Sequence, residues 1–133
     1  MTKKEIKKLQ IKHKATMDKK FPTKWIYFDV DDTLVMWEGN VKRPGKNKVK
    51  VSLGDENFYL TPNVKNIELM RKYRSLDEVI IVWSLGGFAW ARSVLRALNL
   101  HLTPDYVLTK PTYYVDDRPN TYILKKSNNL YKK

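Results

Sequence analysis

Four short apolar segments of the chain are each followed by side chains suited to phosphate chemistry. In chain order, these side chains are Asp29 with Asp31, then Ser84, then Lys110, and finally Asp116 with Asp117. Carboxylates can attack phosphorus or bind a hard cation, and hydroxyl and ammonium groups can hold phosphate oxygens. If the segments are neighbouring parallel strands, the groups converge at the sheet edge where open α/β proteins bind ligands. The sequence therefore predicts a phosphate-handling site at the strand ends.

The first pair of carboxylates has the spacing of a nucleophile and its acid/base partner. Asp29 and Asp31 are separated by one residue, so in an extended chain both point to the same side. A carboxylate can form an aspartyl phosphate, and a second group must then protonate the leaving oxygen and later activate water. The pair could perform both steps on one phosphate.

Carboxylates from two strand ends would repel each other if they met at one edge, because like charges at short range cannot all ionise without compensation. A hard divalent cation removes this conflict, and oxygen ligands favour magnesium over zinc. The chain has no cysteine, which excludes a thiolate metal site. We therefore predict Mg²⁺ as the cofactor, with Ser84 and Lys110 binding the phosphoryl group.

The elements that must position these groups follow from hydrophobic patterning. Continuous apolar runs predict buried strands, and their positions are 25–28, 79–83, 106–108 and 113–115. Helices are predicted from Thr61-Pro62 to about Arg74, from Phe88 to Leu98, and from Arg118 to about Lys126. Strands that alternate with helices indicate an α/β fold with an open parallel, Rossmann-like sheet flanked by helices.

The segment after the first strand is predicted to form a β-hairpin. Val49, Val51 and Leu53 alternate with polar residues, and turn-forming residues precede and follow them. The hairpin region is rich in cations, among them Lys42 and Arg43. These cations are either a solvated hairpin face or part of an anion-guiding flap over the site.

The charge balance of the 133-residue chain is strongly basic, with a formal net charge of +12. Eight lysines lie in residues 1–20, which are predicted to be an N-terminal arm, either a terminal helix or a frayed tail. Residues 21–133 are predicted to form a single domain whose polar tail from Lys125 is frayed. A basic surface attracts anions, so nucleic acid is a possible partner through the arm and the hairpin.

Residues 28–34, Phe-Asp-Val-Asp-Asp-Thr-Leu, resemble the first motif of the haloacid dehalogenase (HAD) superfamily in its phosphatase branch. Ser84, Lys110 and residues 115–117 are similar to the second, third and fourth motifs, in the family's order. Asp32 stands where many members carry glycine. The resemblance implies an HAD-type fold, and the short spacing between motifs leaves no room for a cap domain.

The resemblance also implies a role for each position. Asp29 would be the nucleophile and a metal ligand, and Asp31 the acid/base, with its backbone carbonyl on the metal. Thr33 would orient the loop, and Ser84 and Lys110 would bind the phosphoryl group. Asp116 would coordinate magnesium, with Asp117 as a second ligand or bound through water.

The expected activity is magnesium-dependent hydrolysis of a phosphomonoester at an open site. A nucleotide or nucleic acid 3′-phosphate is favoured by the charge, and the acidic pair followed by Arg118 resembles polynucleotide 3′-phosphatase domains. A small sugar phosphate, a nucleotide monophosphate or a phosphoprotein is an alternative substrate. A non-catalytic phosphate-binding module of the same fold is the alternative from another class.

The sequence also carries indications of location. No apolar stretch approaches the roughly 20 residues of a membrane span, and the basic N-terminus lacks the apolar core of a secretory signal. Together with the absence of cysteine, these features predict a cytoplasmic protein with no membrane partner.

Overall fold

The computed structural model describes residues 1–20 (13–20 by their backbone alone), 24–40, 47–117 and 125–132. Its helices and strands, in chain order, are α1 (Lys3–Lys20), β1 (Trp25–Asp29), β2 (Val35–Met36), β3 (Val49–Leu53), β4 (Glu56–Pro62), α2 (Val64–Ser75), β5 (Val79–Ser84), α3 (Phe88–Ala97) and β6 (Tyr106–Thr109). Two short 3₁₀ helices cover Glu38–Asn40 and Lys126–Asn128.

Three strands form the predicted parallel sheet, in the order β1-β5-β6. The register places Asp29 beside Trp83 and Ser84 beside Thr109, so the carboxyl ends of the strands share one edge. Ile80 and Val82 of β5 are buried in the core together with Val94 and Leu95 of α3. An α/β fold with a parallel sheet is therefore confirmed for three of the four predicted strands. Their predicted burial was wrong for β1 and β6, which are the outer strands of this sheet, and holds for β5.

The predicted hairpin is present and belongs to a second, antiparallel sheet of order β2-β4-β3. Its turn contains Gly54 with a φ of +59°, a left-handed conformation that glycine adopts without steric cost. Val51 and Leu60 are fully buried in the same core as the parallel sheet. One side of the hairpin thus packs inward, and its function as a flap stays a prediction.

Helix α2 begins later than predicted. Thr61 and Pro62 pair with Met36 and Val35 as the last residues of β4, and Asn63 occupies the N-cap position instead. The Thr-Pro sequence suits a helix start, but the antiparallel pairing with β2 takes precedence here. The predicted N-cap role of Thr61 was wrong.

The predicted fourth strand was also wrong. Residues 113–116 have no regular secondary structure, and Tyr113, Tyr114 and Val115 are exposed, Val115 completely. A three-residue apolar run between Pro111 and two carboxylates gains little from strand pairing when its side chains are not covered. The chain after β6 therefore leaves the sheet.

The two ends of the chain differ from expectation in part. Residues 3–20 form one continuous helix, and the described side chains of its first half are exposed. The tail predicted to be frayed is instead anchored, since Tyr131 and Lys132 hydrogen-bond to the body of the protein. The last predicted helix falls largely on 118–124, and with Lys42, Arg43 and Arg118 it lies outside the described residues.

None of the helices in the described part of the chain combines the length and the apolar character needed to cross a membrane.

Candidate active site

The ends of the three parallel strands bring the predicted phosphate-binding groups together around Asp29. The ammonium group of Lys110 lies 3.0 Å from Asp29 Oδ1. Thr33 Oγ1 donates a hydrogen bond to Asp29 Oδ2 at 3.2 Å. The backbone N–H of Lys110 donates to the Ser84 carbonyl at 2.9 Å, which continues the pairing of β6 with β5. Parallel pairing thus places Lys110 beside the predicted nucleophile, and it places Ser84 on the neighbouring strand end, where its hydroxyl contacts Asp31.

Asp31 is held by two tryptophan side chains that the sequence analysis did not assign to the site. Trp37 Nε1 donates to Asp31 Oδ1 at 2.9 Å. Trp90 Nε1 donates to Oδ1 at 3.0 Å and contacts Oδ2 at 3.2 Å. Ser84 Oγ makes a longer contact of 3.5 Å with Oδ2. Donors from three directions fix the orientation of this carboxylate, as a proton-transfer group requires.

The loop that carries both aspartates is a tight turn with a left-handed residue at its centre. Asp32 has a φ of +59°, a conformation that favours glycine and that aspartate tolerates better than most residues. Its carboxylate accepts hydrogen bonds from the Trp37 N–H at 3.1 Å and from Asn40 Nδ2 at 2.7 Å. Asp32 therefore fits the backbone of this turn and stabilises the segment that carries Trp37.

Hydrogen bonds that involve Asn66 and the segment 125–132 stabilise the same loop. The Thr33 carbonyl accepts a hydrogen bond of 3.0 Å from Asn66 Nδ2, and Asn66 Oδ1 accepts one of 2.9 Å from the Lys132 N–H. The Tyr131 hydroxyl donates to the Asp32 carbonyl at 3.0 Å. Asn66 is 1% exposed, so a buried side chain that lacked these partners would be costly.

Ser84 also organises the turn that leads into α3. It is fully buried, and its hydroxyl accepts a hydrogen bond of 3.0 Å from the Gly86 N–H. The N-cap of α3 is Gly87, and the Phe88 N–H is satisfied by Thr109 Oγ1 at 3.0 Å. Ser84 therefore has a structural role at the strand end, in addition to the predicted contact with phosphate.

The acidic pair Asp116 and Asp117 is not brought into this group. Both residues are exposed in the irregular segment that follows β6. In the described ranges, no three His, Asp or Glu side chains lie close enough together to hold a metal ion. Of the predicted ligands, Asp29 and Asp31 thus present their carboxylates beside Lys110 and Ser84, the side chains that were predicted to bind phosphate.

An anchored carboxylate lies at the opposite end of the parallel sheet. Asp105 precedes β6, and its Oδ2 accepts hydrogen bonds from the Ile80 N–H at 2.8 Å and from Arg74 Nη1 at 2.9 Å. The Ile80 N–H, with further help from the Arg74 guanidinium, holds the pKa of the Asp105 carboxyl below its ordinary value. This contact holds the start of β6 against β5. The other end of β6 leads to Lys110.

Four residues of the site were missed by sequence reasoning, namely Trp37, Asn66, Trp90 and Tyr131. The only available signal was that Trp37 and Trp90 lie a few residues after predicted site segments. Tryptophans in such places more often pack in a core, and Asn66 and Tyr131 lie in segments with no motif at all.

Comparisons with known proteins found no similarity: no family model, no curated protein and no solved structure matches the chain.

Proposed function

We propose that the protein is a phosphomonoester hydrolase of the HAD type that uses Asp29 as its nucleophile. One observation carries the proposal: the ends of three parallel strands gather Asp29, Ser84 and Lys110, and a hydrogen-bonded loop adds Asp31. The four residues lie in the chain order that the resemblance implies. A carboxylate beside an ammonium group and a second, separately oriented carboxylate suit covalent phosphoryl transfer.

The reaction proceeds in two steps on residues of this chain. An oxygen of Asp29 forms a bond to phosphorus while the ester P–O bond breaks, and Lys110 offsets the charge of the phosphoryl oxygens. Asp31 gives a proton to the leaving oxygen. A water molecule then attacks the phosphorus of the aspartyl phosphate, Asp31 accepts its proton, and the bond between phosphorus and Asp29 breaks.

The surroundings of Asp31 suit an acid/base better than a second nucleophile. Its carboxylate takes hydrogen bonds from Trp37 and Trp90, whereas Asp29 faces the ammonium group of Lys110. Catalytic proton transfer requires a group held within hydrogen-bond reach of the leaving oxygen. The two indoles limit the rotation of Asp31 and keep its carboxylate at the cluster.

Magnesium is the proposed cofactor, and the described residues fit part of a magnesium site. Asp29 supplies a carboxylate beside the phosphate-binding groups, and magnesium is usually bound by one or two carboxylates together with water and phosphate oxygens. Asp116 and Asp117 would complete the donor set. Magnesium supplies positive charge that reduces repulsion between the carboxylates and the incoming phosphate. The metal requirement therefore depends on the acidic pair approaching Asp29.

The proposed substrate is a nucleotide or nucleic acid carrying a 3′-phosphate. The net charge of +12 favours a polyanion, and the described N-terminal side chains of the lysine-rich helix α1 are exposed. Hydrolysis of a 3′-phosphorylated oligonucleotide should weaken steeply with added salt, whereas a small sugar phosphate should show a shallow dependence. Equal salt dependence for both would favour the small substrate.

The primary test replaces the nucleophile. Asp29→Asn should lower kcat for an aryl phosphate by at least roughly 10³-fold, because an amide oxygen cannot form the acyl phosphate. The wild type should lose activity when magnesium is chelated. Asp55→Asn, in the exposed hairpin turn, is the matched control and should retain full activity.

Normal turnover by a folded Asp29→Asn protein would exclude the mechanism. If the wild type hydrolyses none of a broad set of phosphomonoesters, measurement of magnesium and phosphate-mimic binding would distinguish a binding module from a highly selective enzyme.

A further inference from the structure

A cavity of about 340 Å³ adjoins the predicted acid/base. Its lining consists of Asp31, Trp37, Leu53, Phe58, Gly86 and Trp90. This volume falls within the range of roughly 300–1,000 Å³ that is typical of small-ligand sites. Among the described lining residues Asp31 alone is charged, and the others are apolar and mainly aromatic.

The aromatic rings of the wall are mutually fixed. Phe58 meets Trp90 and Trp37 edge to face, with ring centroids 5.2 and 5.9 Å apart. Trp37 and Trp90 stack at 6.2 Å. Both indole N–H groups donate to Asp31, so neither is left for a ligand. Trp37, which is 37% exposed, offers ring surface, and the buried Trp90 supports it from the core side.

The position of Trp90 depends on a glycine of the loop after β5. A Cβ atom at Gly86 would lie 3.1 Å from Trp90 Cδ1 and 3.4 Å from Ser84 Oγ. The absence of a side chain there lets the indole lie against the turn that carries Ser84. The cavity and the phosphate-binding turn therefore share one wall.

We infer that this cavity binds a flat aromatic ring in the leaving group of the substrate, an inference that rests on the proposed function. In that function Asp31 protonates the leaving oxygen, so the leaving group must lie against Asp31, where the aromatic wall begins. Aromatic rings attract a further ring by offset stacking or edge-to-face contact. The ring is either a phenol ring on the ester oxygen or a nucleobase carried through a ribose.

The rim of the cavity is open enough to admit such a ring. Trp37 is 37% exposed, and Leu53, the last residue of β3, is 39% exposed. The opposite face of β4 provides a comparison, since Tyr59 is 60% exposed there and does not line the cavity.

The test measures binding without turnover. Phenylphosphonate and methylphosphonate carry the same anion and differ in the ring, and tryptophan fluorescence or calorimetry reports their Kd values. We expect the wild type to bind phenylphosphonate about 10-fold or more tightly, in line with the contribution of one ring stacked on aromatic side chains. Phe58→Ala should reduce this preference to less than 3-fold, and Tyr59→Ala should retain it.

Leu53→Gln is the second variant, because its half-exposed rim position tolerates a polar side chain if Phe58→Ala fails to fold. It should also weaken the preference. Equal binding of the two phosphonates by the wild type, or a preference unchanged in both cavity variants, would overturn the inference. Selective binding together with absent hydrolysis would contradict the proposed reaction and leave the ring site supported.

A competition experiment distinguishes a nucleobase from a phenol ring. It uses the Asp29→Asn variant, which should not hydrolyse its ligands. Adenosine 3′-monophosphate and phenyl phosphate are each titrated against bound phenylphosphonate. Stronger competition by the nucleotide assigns the cavity to a base, and stronger competition by phenyl phosphate assigns it to a phenol ring. Failure of both to compete would place the ring outside this cavity.

Discussion

The predicted site has two parts, and they differ in their structural surroundings. The strand-end cluster consists of Asp29, Asp31, Thr33, Ser84 and Lys110, and its members are joined by hydrogen bonds and one ion pair. The acidic pair, Asp116 and Asp117, is exposed in an irregular segment. Both parts were predicted in the same way, as side chains that follow short apolar strands.

The difference between the two parts lies in strand pairing. Strand β6 is fastened at its start by Asp105 and at its end by the hydrogen bond from the Lys110 N–H to Ser84. Residues 113–115 have no such pairing. A side chain at the end of a strand is placed accurately only when its strand joins the sheet, and an apolar run alone does not ensure this.

The largest effect is expected from neutralising the acidic pair, which tests whether the two parts of the site act together. If the pair approaches Asp29 in the proposed reaction, Asp116→Asn with Asp117→Asn should lower phosphatase activity by about 10- to 100-fold and raise the magnesium concentration required. The melting temperature should stay unchanged, because both side chains are exposed. Steady-state rates at several magnesium concentrations and a thermal melt provide the two measurements.

Unchanged activity in that double variant would show that the acidic pair has no catalytic role. The strand-end cluster would then contain the whole of the chemistry, and a magnesium ion would need other ligands.

A smaller effect is expected from loosening the start of β6. Asp105→Asn keeps an acceptor for the Ile80 N–H and removes the charge opposite Arg74, so it should lower the free energy of unfolding by about 1 kcal/mol at neutral pH, after allowance for partial exposure. Asp77→Asn is the matched control, because Asp77 lies 3.9 Å from the same arginine but is fully exposed. Urea unfolding should detect a change only for Asp105.

The contribution of Asp105 should also depend on pH in a defined direction. Because its folded pKa is lowered, the stabilisation is fully present above the unfolded value of about 3.9 and is lost as the pH falls through the folded value. The difference in unfolding free energy between the wild type and Asp105→Asn should therefore shrink between pH 5 and strongly acidic conditions. A constant difference would contradict the assignment of the pKa to this contact.

The smallest effect concerns the support of the loop at Asp32. Tyr131→Phe removes the hydrogen bond to the Asp32 carbonyl and should cost about 0.5–1 kcal/mol of stability. Tyr113→Phe, in the segment of the acidic pair, is the control, since Tyr113 is 88% exposed. Hydrogen exchange at residues 33–35 should increase in the first variant and not in the second; equal exchange would mean that the tail does not support the loop.

The parts of the fold that local patterning could predict are those with long or well-delimited apolar runs. The runs ending at Asp29 and Ser84 are strands, of which the second is largely buried and the first is buried only at Phe28, and the alternation at 49–53 is a hairpin strand. The same patterning was wrong at Thr61-Pro62, because pairing with β2 overrides the local preference for a helix start. Local sequence patterns do not show which distant strand is available for pairing.

The parts of the site that could not be predicted depend on contacts between distant segments. The indoles of Trp37 and Trp90 reach Asp31 only because a loop before β3 and the helix α3 pack on either side of it. Asn66 and Tyr131 meet the loop across separations of 33 and 99 residues. The spacing of residues within a motif does not predict contacts of this kind. The residue types at the strand ends therefore predict the reactive side chains, but not the distant residues that hydrogen-bond to them.

The anchoring of the loop at Asp32 by Tyr131 has a consequence for biosynthesis. The loop at Asp32 emerges from the ribosome early, whereas its partner lies 99 residues later. Contacts of such large sequence separation form late in folding, and chains fold as they are synthesised from the N-terminus. We expect the strands and the hairpin to associate first on the nascent chain. The loop would gain its full support only after Tyr131 has been released, so that it reaches its final conformation only when translation of this segment ends.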